Sequence, residues 1–435
     1  MRIWILVTVA ALAAARDSAP AQSVSVMAQA IPVVTRADPT ATRAALSEGY
    51  VSQPAVMAHG EWNWLRAVAT LNLEGLTLAR GELSTGANGE GFVDRRHPHT
   101  YAHELLAGAQ ASVVGVVGSM FAGRGFAPFG SDDPMVRPFE KYPVNHHLSQ
   151  VLERVVAIGA LRRGPAIVEV GTFNGDEPVS PSSAPHFSRF GDSWAARGTV
   201  LPVSGLELSA SAASVKSPEV AAGSGVDQRK ASVVARFERV GMSDWRYAMA
   251  EWARTDERAA GRLTTRLGSW LGEAAACRAG MIAAARLERT DRPEEEAQTD
   301  PFRTPRPPID LSNLGVSRWT TLTLSLSSPA LLWRFLSGRP FVEVARIAAA
   351  PGDPPGLFDA NRRYGASRMW MLSAGVRLRS GAMHARMGRY GVAAPDGGMT
   401  MPMPMPMPMG TDSVAGESHM MQMHQPTSSA NPCIL

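Results

Sequence analysis

The stretch TTLTLSLSS (residues 320–328) decides how this chain is interpreted. Leu322, Leu324 and Leu326 alternate with threonine and serine, so a β-strand would place the leucines on one face and hydroxyl groups on the other. The same period recurs in GLELSASAA (205–213), SVVARFERV (232–240) and MWMLSAGVRL (369–378). Because no long stretch holds a 3.6-residue period, the sequence predicts an all-β protein.

The connections between the candidate strands alternate between short and long. Tight ones such as LRRG (161–164) and RAG (278–280) come between long polar ones such as 123–147 and 291–316. An up-and-down membrane barrel explains this alternation, because its turns are short on the periplasmic rim and its loops are long outside. We therefore predict an up-and-down antiparallel transmembrane β-barrel of about sixteen strands. The alternative is an exported, soluble β-sandwich or β-solenoid.

Charged and aromatic residues within the predicted strands support the barrel. The charged positions are Glu169, Glu207, Arg236, Glu238, Glu251 and Glu288. Unpaired charges are very costly in a dry core, so these positions predict a polar lumen that contains water. Trp194, Trp245 and Trp319 begin strands and Trp333 lies in a turn, which is typical of an interfacial aromatic girdle.

The ends of the chain differ from its middle. Residues 1–21 have the pattern of a secretory signal peptide, with an apolar segment before a small-x-small cleavage site. We expect a flexible N-terminal segment over residues 22–58, the barrel over 59–392, and a disordered Met/His-rich tail over 393–435.

One uncharged stretch, LLAGAQASVVGVVGSMFAG (105–123), is almost long enough to span a membrane as a helix. Its glycines and clustered valines favour strand instead. The net charge of +4 over 435 residues gives no indication of a nucleic-acid partner. Cys277 and Cys433 lie far apart, the latter in a tail expected to be mobile, so we expect no structural disulfide.

The stretch DRRHPHTYAHE (94–104) places three histidines within seven positions, and the next two long loops contain YPVNHH (142–147) and SAPHF (183–187). Imidazoles that converge on one rim suit Cu(II) or Zn(II). The candidate metal ligands are His97, His99, His103, His146, His147 and His186. The alternative is that these histidines lock the loops by hydrogen bonds to neighbouring arginines and acids such as Asp132 and Asp133.

The tail is a separate candidate site. MTMPMPMPMPMG (399–410) cannot form a helix or join a sheet interior, so we expect an extended, polyproline-like segment. Thioether sulfur is a soft ligand that suits Cu(I). The candidate ligands are Met401, Met403, Met405, Met407, Met409, His419, Met420, Met421, Met423 and His424. The alternative is a low-complexity repeat that binds nothing.

Longer stretches carry a family resemblance: GLTLARGELSTGANGEGFVDRRHPHTYAHEL (75–105), FAPFGSDDPMVRPFEKYPVNHHLSQVLER (126–154) and VEVGTFNGDEP (168–178). They resemble a family of uncharacterised Gram-negative outer-membrane, porin-like β-barrel proteins associated with copper or heavy-metal handling. The resemblance implies an integral outer-membrane barrel but no established substrate. Such barrels commonly end in an aromatic residue, whereas here a candidate last strand, AMHARMGRYGV (382–392), is followed by the tail.

We expect an outer-membrane, porin-like channel, linked to copper or heavy-metal homeostasis, that makes and breaks no bonds and requires no cofactor. The expected partners are outer-membrane lipids and lipopolysaccharide, metal ions or small solutes, and a second copy of the chain in a homo-oligomer. The alternative function is a non-conducting metal-binding or structural barrel of the envelope. We expect no enzyme: Ser149 lies near His147, but no G-x-S-x-G or similar nucleophile context is present.

Overall fold

The structure is a computed structural model of the chain. It describes residues 22–39, 44–77, 99–178, 180–218, 220–241, 243–295, 313–333, 336–353, 355, 359–361, 365–381, 386–394 and 433. The predicted signal peptide, residues 1–21, lies outside the described residues. Within the described ranges, no helix is long and apolar enough to cross a membrane.

The strands form one antiparallel sheet that closes on itself. They are β1 (Gln22–Asp38), β2 (Leu46–Trp62), β3 (Leu65–Asn72), β4 (Ala102–Val113), β5 (Val116–Gly125), β6 (Arg154–Arg163), β7 (Ala166–Phe173), β8 (Ser193–Val203), β9 (Leu206–Val215), β10 (Asp227–Val240), β11 (Asp244–Ala259), β12 (Arg262–Arg278), β13 (Met281–Glu295), β14 (Asn313–Ser327), β15 (Leu331–Trp333), β16 (Leu336–Pro351) and β17 (Arg368–Ser380). Each strand pairs with its neighbour in the chain, and β1 also pairs with β17.

The short strand β15 lies in the connection between β14 and β16, which pair directly with each other. Sixteen strands therefore form the wall, and the predicted barrel is confirmed. The connections contain the one-turn helices α1 (Glu74–Thr77) and α2 (His146–Ser149). Short 3₁₀ turns span Pro134–Val136 and Gly391–Ala393.

In β14 the leucines point outward and the threonines point into the barrel, as a membrane protein requires. Leu322, Leu324 and Leu326 expose 42, 47 and 53 % of their surface, whereas Thr323 exposes 2 %. A soluble protein would show the reverse orientation, because its apolar face would be buried. The exposed leucines belong to a belt of outward apolar side chains that runs around the barrel, and lipid is the solvent that such a belt requires.

The prediction of an outer tryptophan girdle is wrong for two of its four residues. Trp194 and Trp333 are exposed on the outer surface. Trp245 and Trp319 are buried and point into the lumen, where the indole of Trp245 donates to Glu238 (2.9 Å). The reason is strand phase, because Trp319 shares the inward face of β14 with its threonines.

The rims follow the predicted division into short turns and long loops with one exception: the stretch 255–266, predicted as a long loop, is only a two-residue turn at 260–261 between β11 and β12. The stretch 105–123 forms the hairpin of β4 and β5, as its glycines and valines predict, and not a helix. Its two-residue turn places both Val114 (φ 48°) and Gly115 (φ 75°) in the left-handed region. Two consecutive residues with positive φ match the right-handed twist of a hairpin.

The N-terminal prediction is wrong, because β1 and most of β2 occupy residues 22–58. Two features conceal these strands in the sequence. Pro32 lies within β1, and β2 contains a bulge at Gln53 (φ 49°), where its register with β1 shifts. Proline and a bulge each interrupt the regular alternation that identifies a strand. The barrel wall therefore extends over residues 22–380.

The closing strand is β17, and not the candidate strand over 382–392. Residues 386–394 instead lie inside the barrel, where the 3₁₀ turn at Gly391–Ala393 contacts β4, β5, β6 and β7. The charges of Arg386 and Arg389 explain this position, since both find acidic partners within the lumen. Of the predicted tail over 393–435, residues 395–432 and 434–435 lie outside the described residues.

The expectation of no disulfide is also wrong. Cys277, near the end of β12, is bonded to Cys433 across 156 residues of sequence. Cys433 is buried in an apolar cluster that includes Phe139 and Trp245. Sequence distance does not limit this pairing, because Cys433 packs against the barrel beside the end of β12. The disulfide therefore fixes residue 433 near the short-turn rim of the wall.

Candidate functional site

The connection between β5 and β6, residues 126–153, folds into the barrel. Each of its described side chains is buried, except those of Val136 and Val144, which are half-buried. A loop that only narrows an open pore would keep one side in water. This segment, which we call the outer plug, fills the lumen instead.

The outer plug reaches opposite sides of the wall. On one side, the hydroxyl of Ser52 in β2 donates to the carboxylate of Glu140 (2.9 Å). On the other, the side-chain amide of Asn145 donates to Glu251 in β11 (2.7 Å). Strands β2 and β11 lie nearly half the circumference apart in the closed sheet. The plug thus spans the full width of the barrel.

Wall charges bind the backbone of the plug. The carboxylate of Glu343 in β16 accepts the backbone N–H groups of Glu140 (3.1 Å) and Lys141 (3.2 Å). The guanidinium of Arg286 in β13 donates to the carbonyl of Lys141 (2.7 Å). Buried backbone groups outside a sheet need such partners, because an unpaired one costs about as much as a lost hydrogen bond.

Residues 386–394, which we call the inner plug, join the outer plug through a group of four charges. Arg386 contacts Asp132 of the outer plug (2.6 Å) and Glu207 of β9 (2.6 Å). Arg389 contacts the same two carboxylates, at 3.3 and 2.6 Å. Burial alone would raise the pKa of Asp132, but Arg386, Arg236 and Arg389 hold it far below its usual value. Asp132 therefore stays ionised at neutral pH.

Tyr390 ties the inner plug to both the wall and the outer plug. Its hydroxyl donates to Glu104 of β4 (2.7 Å) and accepts the backbone N–H of Phe126 (3.0 Å). Its ring belongs to an apolar cluster with Phe121, Phe126 and Phe173. The core of the molecule thus lies inside the barrel, between the plugs and the wall.

The charged strand residues point inward as predicted, but they meet protein partners. Glu169, Glu207, Glu251 and Glu288 are buried, and Arg236 and Glu238 are half-buried. Glu169, for example, accepts two hydrogen bonds of 2.6 Å from Arg197. The prediction of a water-containing lumen is therefore wrong at the level of the plugs, because the sequence did not show that two segments fold back inside.

Two of the predicted histidines converge at the long-loop rim. His99 precedes β4, and His103 is the second residue of that strand. Both histidines lie close to Glu153, the last residue of the outer plug. The Nδ1 atom of His99 lies 3.4 Å from Glu153 Oε1, and the Nδ1 atom of His103 is in closer contact with the same oxygen. On the opposite side of the ring, His103 Nε2 lies 3.5 Å from Asp133.

The electrostatics of this histidine cluster, His99, His103 and Glu153, favour a charged carboxylate. Burial would raise the pKa of Glu153, but the charges and hydrogen bonds of the two histidines lower it to about 2. Burial would lower the pKa of His99, yet its hydrogen bond to Glu153 and the charge of Glu153 raise it. Two imidazoles and one ionised carboxylate are a ligand set that zinc and similar cations accept.

The other predicted ligands have different positions. The ring of His146 lies 6.3 Å from that of His99, centroid to centroid, and its Nδ1 contacts the carbonyl of Pro143 (3.1 Å). His186 is half-exposed on another loop and pairs with Asp176 (2.7 Å). The backbone of His147 is part of α2. His97, the side chain of His147, and the tail candidates Met401, Met403, Met405, Met407, Met409, His419, Met420, Met421, Met423 and His424 lie outside the described residues.

Sequence reasoning did not identify Glu153 as a site residue. It lies 50 residues after His103, and a single glutamate before a strand forms no motif. The alternative interpretation predicts Asp132 and Asp133 as partners that lock the loops. Asp132 does lock the two plugs, and Asp133 contacts His103, so this alternative describes part of the site correctly.

Comparison with known proteins gives a structural similarity only. No protein-family model and no curated protein matches the chain. An anion-selective porin from Comamonas acidovorans aligns over 83 % of this chain and 100 % of its own, with a TM-score of 0.50 and 12 % identity. OmpT, an outer membrane protein of Vibrio cholerae, aligns over 82 % and 99 % (TM-score 0.47, 9 % identity), and Pseudomonas aeruginosa OpdO over 83 % and 98 % (TM-score 0.37, 11 % identity).

At such low identity the first similarity establishes the fold, and the two lower TM-scores add nothing to it. A closed wall of sixteen strands with an apolar outer belt is the architecture of outer-membrane barrels. The chain is thus an outer-membrane β-barrel with a porin-like fold.

Proposed function

We propose that this chain is a porin-like outer-membrane channel for small polar solutes, closed in the described arrangement by its two plugs. A barrel of sixteen strands leaves an aqueous channel unless something fills it. The observation that carries the proposal is the charged junction of Asp132 and Glu207 with Arg386 and Arg389. When the plugs separate, these charges line a watered lumen.

The middle of the outer plug is the part best suited to move. Its ends pack through Phe126, Phe129, Val151 and Leu152 into the apolar cluster around Tyr390. Between its ends, the charged junction at Asp132 and the carboxylate of Glu343 hold the plug to the wall, beside an apolar contact through Phe139. A buried ion pair often contributes little net free energy, because desolvation offsets the attraction. Loss of the charged contacts would therefore let the stretch between the ends leave the wall while the ends stay attached.

Single-channel recording in planar bilayers tests this proposal. Replacing both arginines of the junction, Arg386→Ala with Arg389→Ala, should increase the open probability of the full-length protein. The matched control is Arg254→Ala with Arg266→Ala, because these two arginines also share one aspartate, Asp256, but lie outside the plugs. The control should conduct like the natural protein.

Both variants must first show heat-modifiable migration on a gel, which reports a folded barrel. Silence of the natural protein and of the folded junction variant, under voltages that open other porins, would contradict the channel. Solute uptake into liposomes that contain the protein gives a second readout that does not depend on voltage.

The second candidate is a non-conducting barrel of the envelope that binds metal or has a structural role. The near-complete burial of the outer plug favours it, since a segment packed on all sides need not open. Permanent silence of the folded junction variant is the result that this candidate predicts.

A link to copper or another heavy metal is the narrower part of the proposal. The convergence of His99 and His103 supports it on the loop rim, and the thioethers of the tail support it by their softness toward Cu(I). Replacing Met401, Met403, Met405, Met407 and Met409 with leucine should reduce the Cu(I) capacity of the full-length protein. An unchanged capacity would remove the tail from the proposal.

Contacts with lipopolysaccharide and assembly into a homo-oligomer also remain predictions. Native mass spectrometry of protein extracted in mild detergent measures both at once, because bound lipopolysaccharide and subunit number each change the mass.

A further inference from the structure

We infer that His99, His103 and Glu153 form a binding site for one divalent transition-metal ion of the zinc class, which fastens the outer plug to β4. This inference deepens the metal-linked part of the proposed function and does not depend on conduction. The ligand atoms of these three residues all lie within 4.8 Å of one another, and all three side chains are buried.

The spacing fits a small tetrahedral ion. Bonds of about 2.0–2.2 Å at tetrahedral angles place neighbouring ligand atoms about 3.3–3.6 Å apart. His99 Nδ1 and Glu153 Oε1 are separated by 3.4 Å, which needs almost no adjustment. His103 Nδ1 now makes a hydrogen bond to the same carboxylate, so it must separate from that oxygen to admit the ion.

The backbone holds Glu153 in position. Its φ of 56° is unusual for a residue with a side chain, and such conformations persist where the surrounding structure imposes them. The backbone N–H of Thr100 donates to both carboxylate oxygens, at 2.9 and 3.0 Å. The carboxylate is therefore fixed before any ion arrives, and less ordering is needed on binding.

A second carboxylate orients the ring of His103. Its Nε2 lies 3.5 Å from Asp133 Oδ2, while Asp133 Oδ1 accepts the N–H of Met135 (2.7 Å). If Nδ1 binds the ion, Nε2 carries the proton and faces this acid. Metal-bound histidines almost always donate their other N–H to such a partner, which fixes the tautomer and raises ligand basicity.

The site lies where it can act on the plug. Glu153 is the last residue of the outer plug and Asp133 lies near its beginning, whereas both histidines belong to the wall and to the residues that lead into it. An ion would join these parts at one point. With three protein ligands, a fourth position stays open for water or a solute.

Zinc titration of the full-length protein, folded in detergent and stripped with a chelator, tests the inference. Calorimetry should show that His99→Gln, His103→Gln and Glu153→Gln each bind one equivalent of zinc fewer than the natural protein. Asp133→Asn should still bind this equivalent of zinc, but with an affinity about 10–100-fold lower. The matched control is His59→Gln, which removes a partly exposed imidazole of β2 that is not among the candidate ligands and should change nothing.

X-ray absorption of the natural protein with one equivalent of Zn²⁺ gives a readout that needs no variant. The inference predicts two imidazoles and oxygen around zinc. Sulfur in the first coordination shell, or equal stoichiometry in all three folded variants, would overturn it. A silent bilayer with intact zinc binding would defeat the channel proposal alone, and conduction without zinc binding would defeat this inference alone.

Discussion

Raising the pH from 5 to 8 should release the outer plug through Glu140. This carboxyl is buried in the lumen and accepts a hydrogen bond from Ser52. Burial raises its pKa, Lys141 and Arg377 offset part of that rise, and the neighbouring charge of Glu343 adds to it. The result is a pKa of about 7, against 4.5 for the ordinary group.

The direction follows from comparing the closed plug with a released, hydrated one. Below pH 4.5 Glu140 is protonated in both states, so the closed state keeps its full stability. As pH rises toward 7, release of the plug allows a proton to leave, and the closed state loses stability progressively. The difference, 7 − 4.5 = 2.5 pH units, corresponds to about 3 kcal/mol over the whole titration. Between pH 5 and pH 8 the plug equilibrium should change about 70-fold.

Open probability in planar bilayers at pH 5 and pH 8 measures this effect. The natural protein should open more at pH 8, and Glu140→Gln should show a smaller response, because its amide stays neutral and releases no proton. Glu61→Gln, which changes a partly exposed acid near a turn, should respond like the natural protein. Asp132 does not interfere, since its lowered pKa keeps it ionised at both values. A full response in Glu140→Gln, or greater opening at pH 5, would refute the reasoning.

Three further predictions concern stability, each measured by urea unfolding of the folded barrel. Arg197→Ala leaves Glu169 buried without its closest partner and should cost about 3 kcal/mol, whereas no loss would mean that the pair is not buried. Leu324→Arg places a charge in the lipid-facing belt and should cost about 2 kcal/mol; a neutral effect would indicate that this face is not in lipid. Cys433→Ser removes a link across 156 residues, for which chain entropy predicts a loss of about 5 kcal/mol, and an equal urea midpoint would contradict it.

The wall of the barrel could be predicted because lipid and lumen impose opposite demands on alternate residues. Leu322 and Thr323 are neighbours in sequence, and they point to lipid and to the lumen respectively. The same alternation of apolar and polar residues continues along β14. The strands β1 and β2 were missed where a proline and a bulge obscure that alternation, at Pro32 and Gln53.

The plugs could not be predicted, because their contacts are distant in sequence. Asp132 and Arg386 are 254 residues apart, and neither belongs to a motif that indicates a partner. The candidate site shows the same limit on a smaller scale. The spacing of His99 and His103 indicated a metal site, whereas the carboxylate of Glu153 is brought to them only by the folding of the outer plug.

Thiol labelling inside the barrel tests the central claim, that the plugs close the lumen, most directly. The native cysteines are bonded to each other, so a cysteine introduced at Ser131 or Ser188 is the one free thiol. Ser131 is buried in the outer plug, whereas Ser188 lies exposed on the loop between β7 and β8. A membrane-impermeant maleimide should label Ser188→Cys rapidly and Ser131→Cys far more slowly. Equal rates in the two folded variants would show an open lumen and contradict the account.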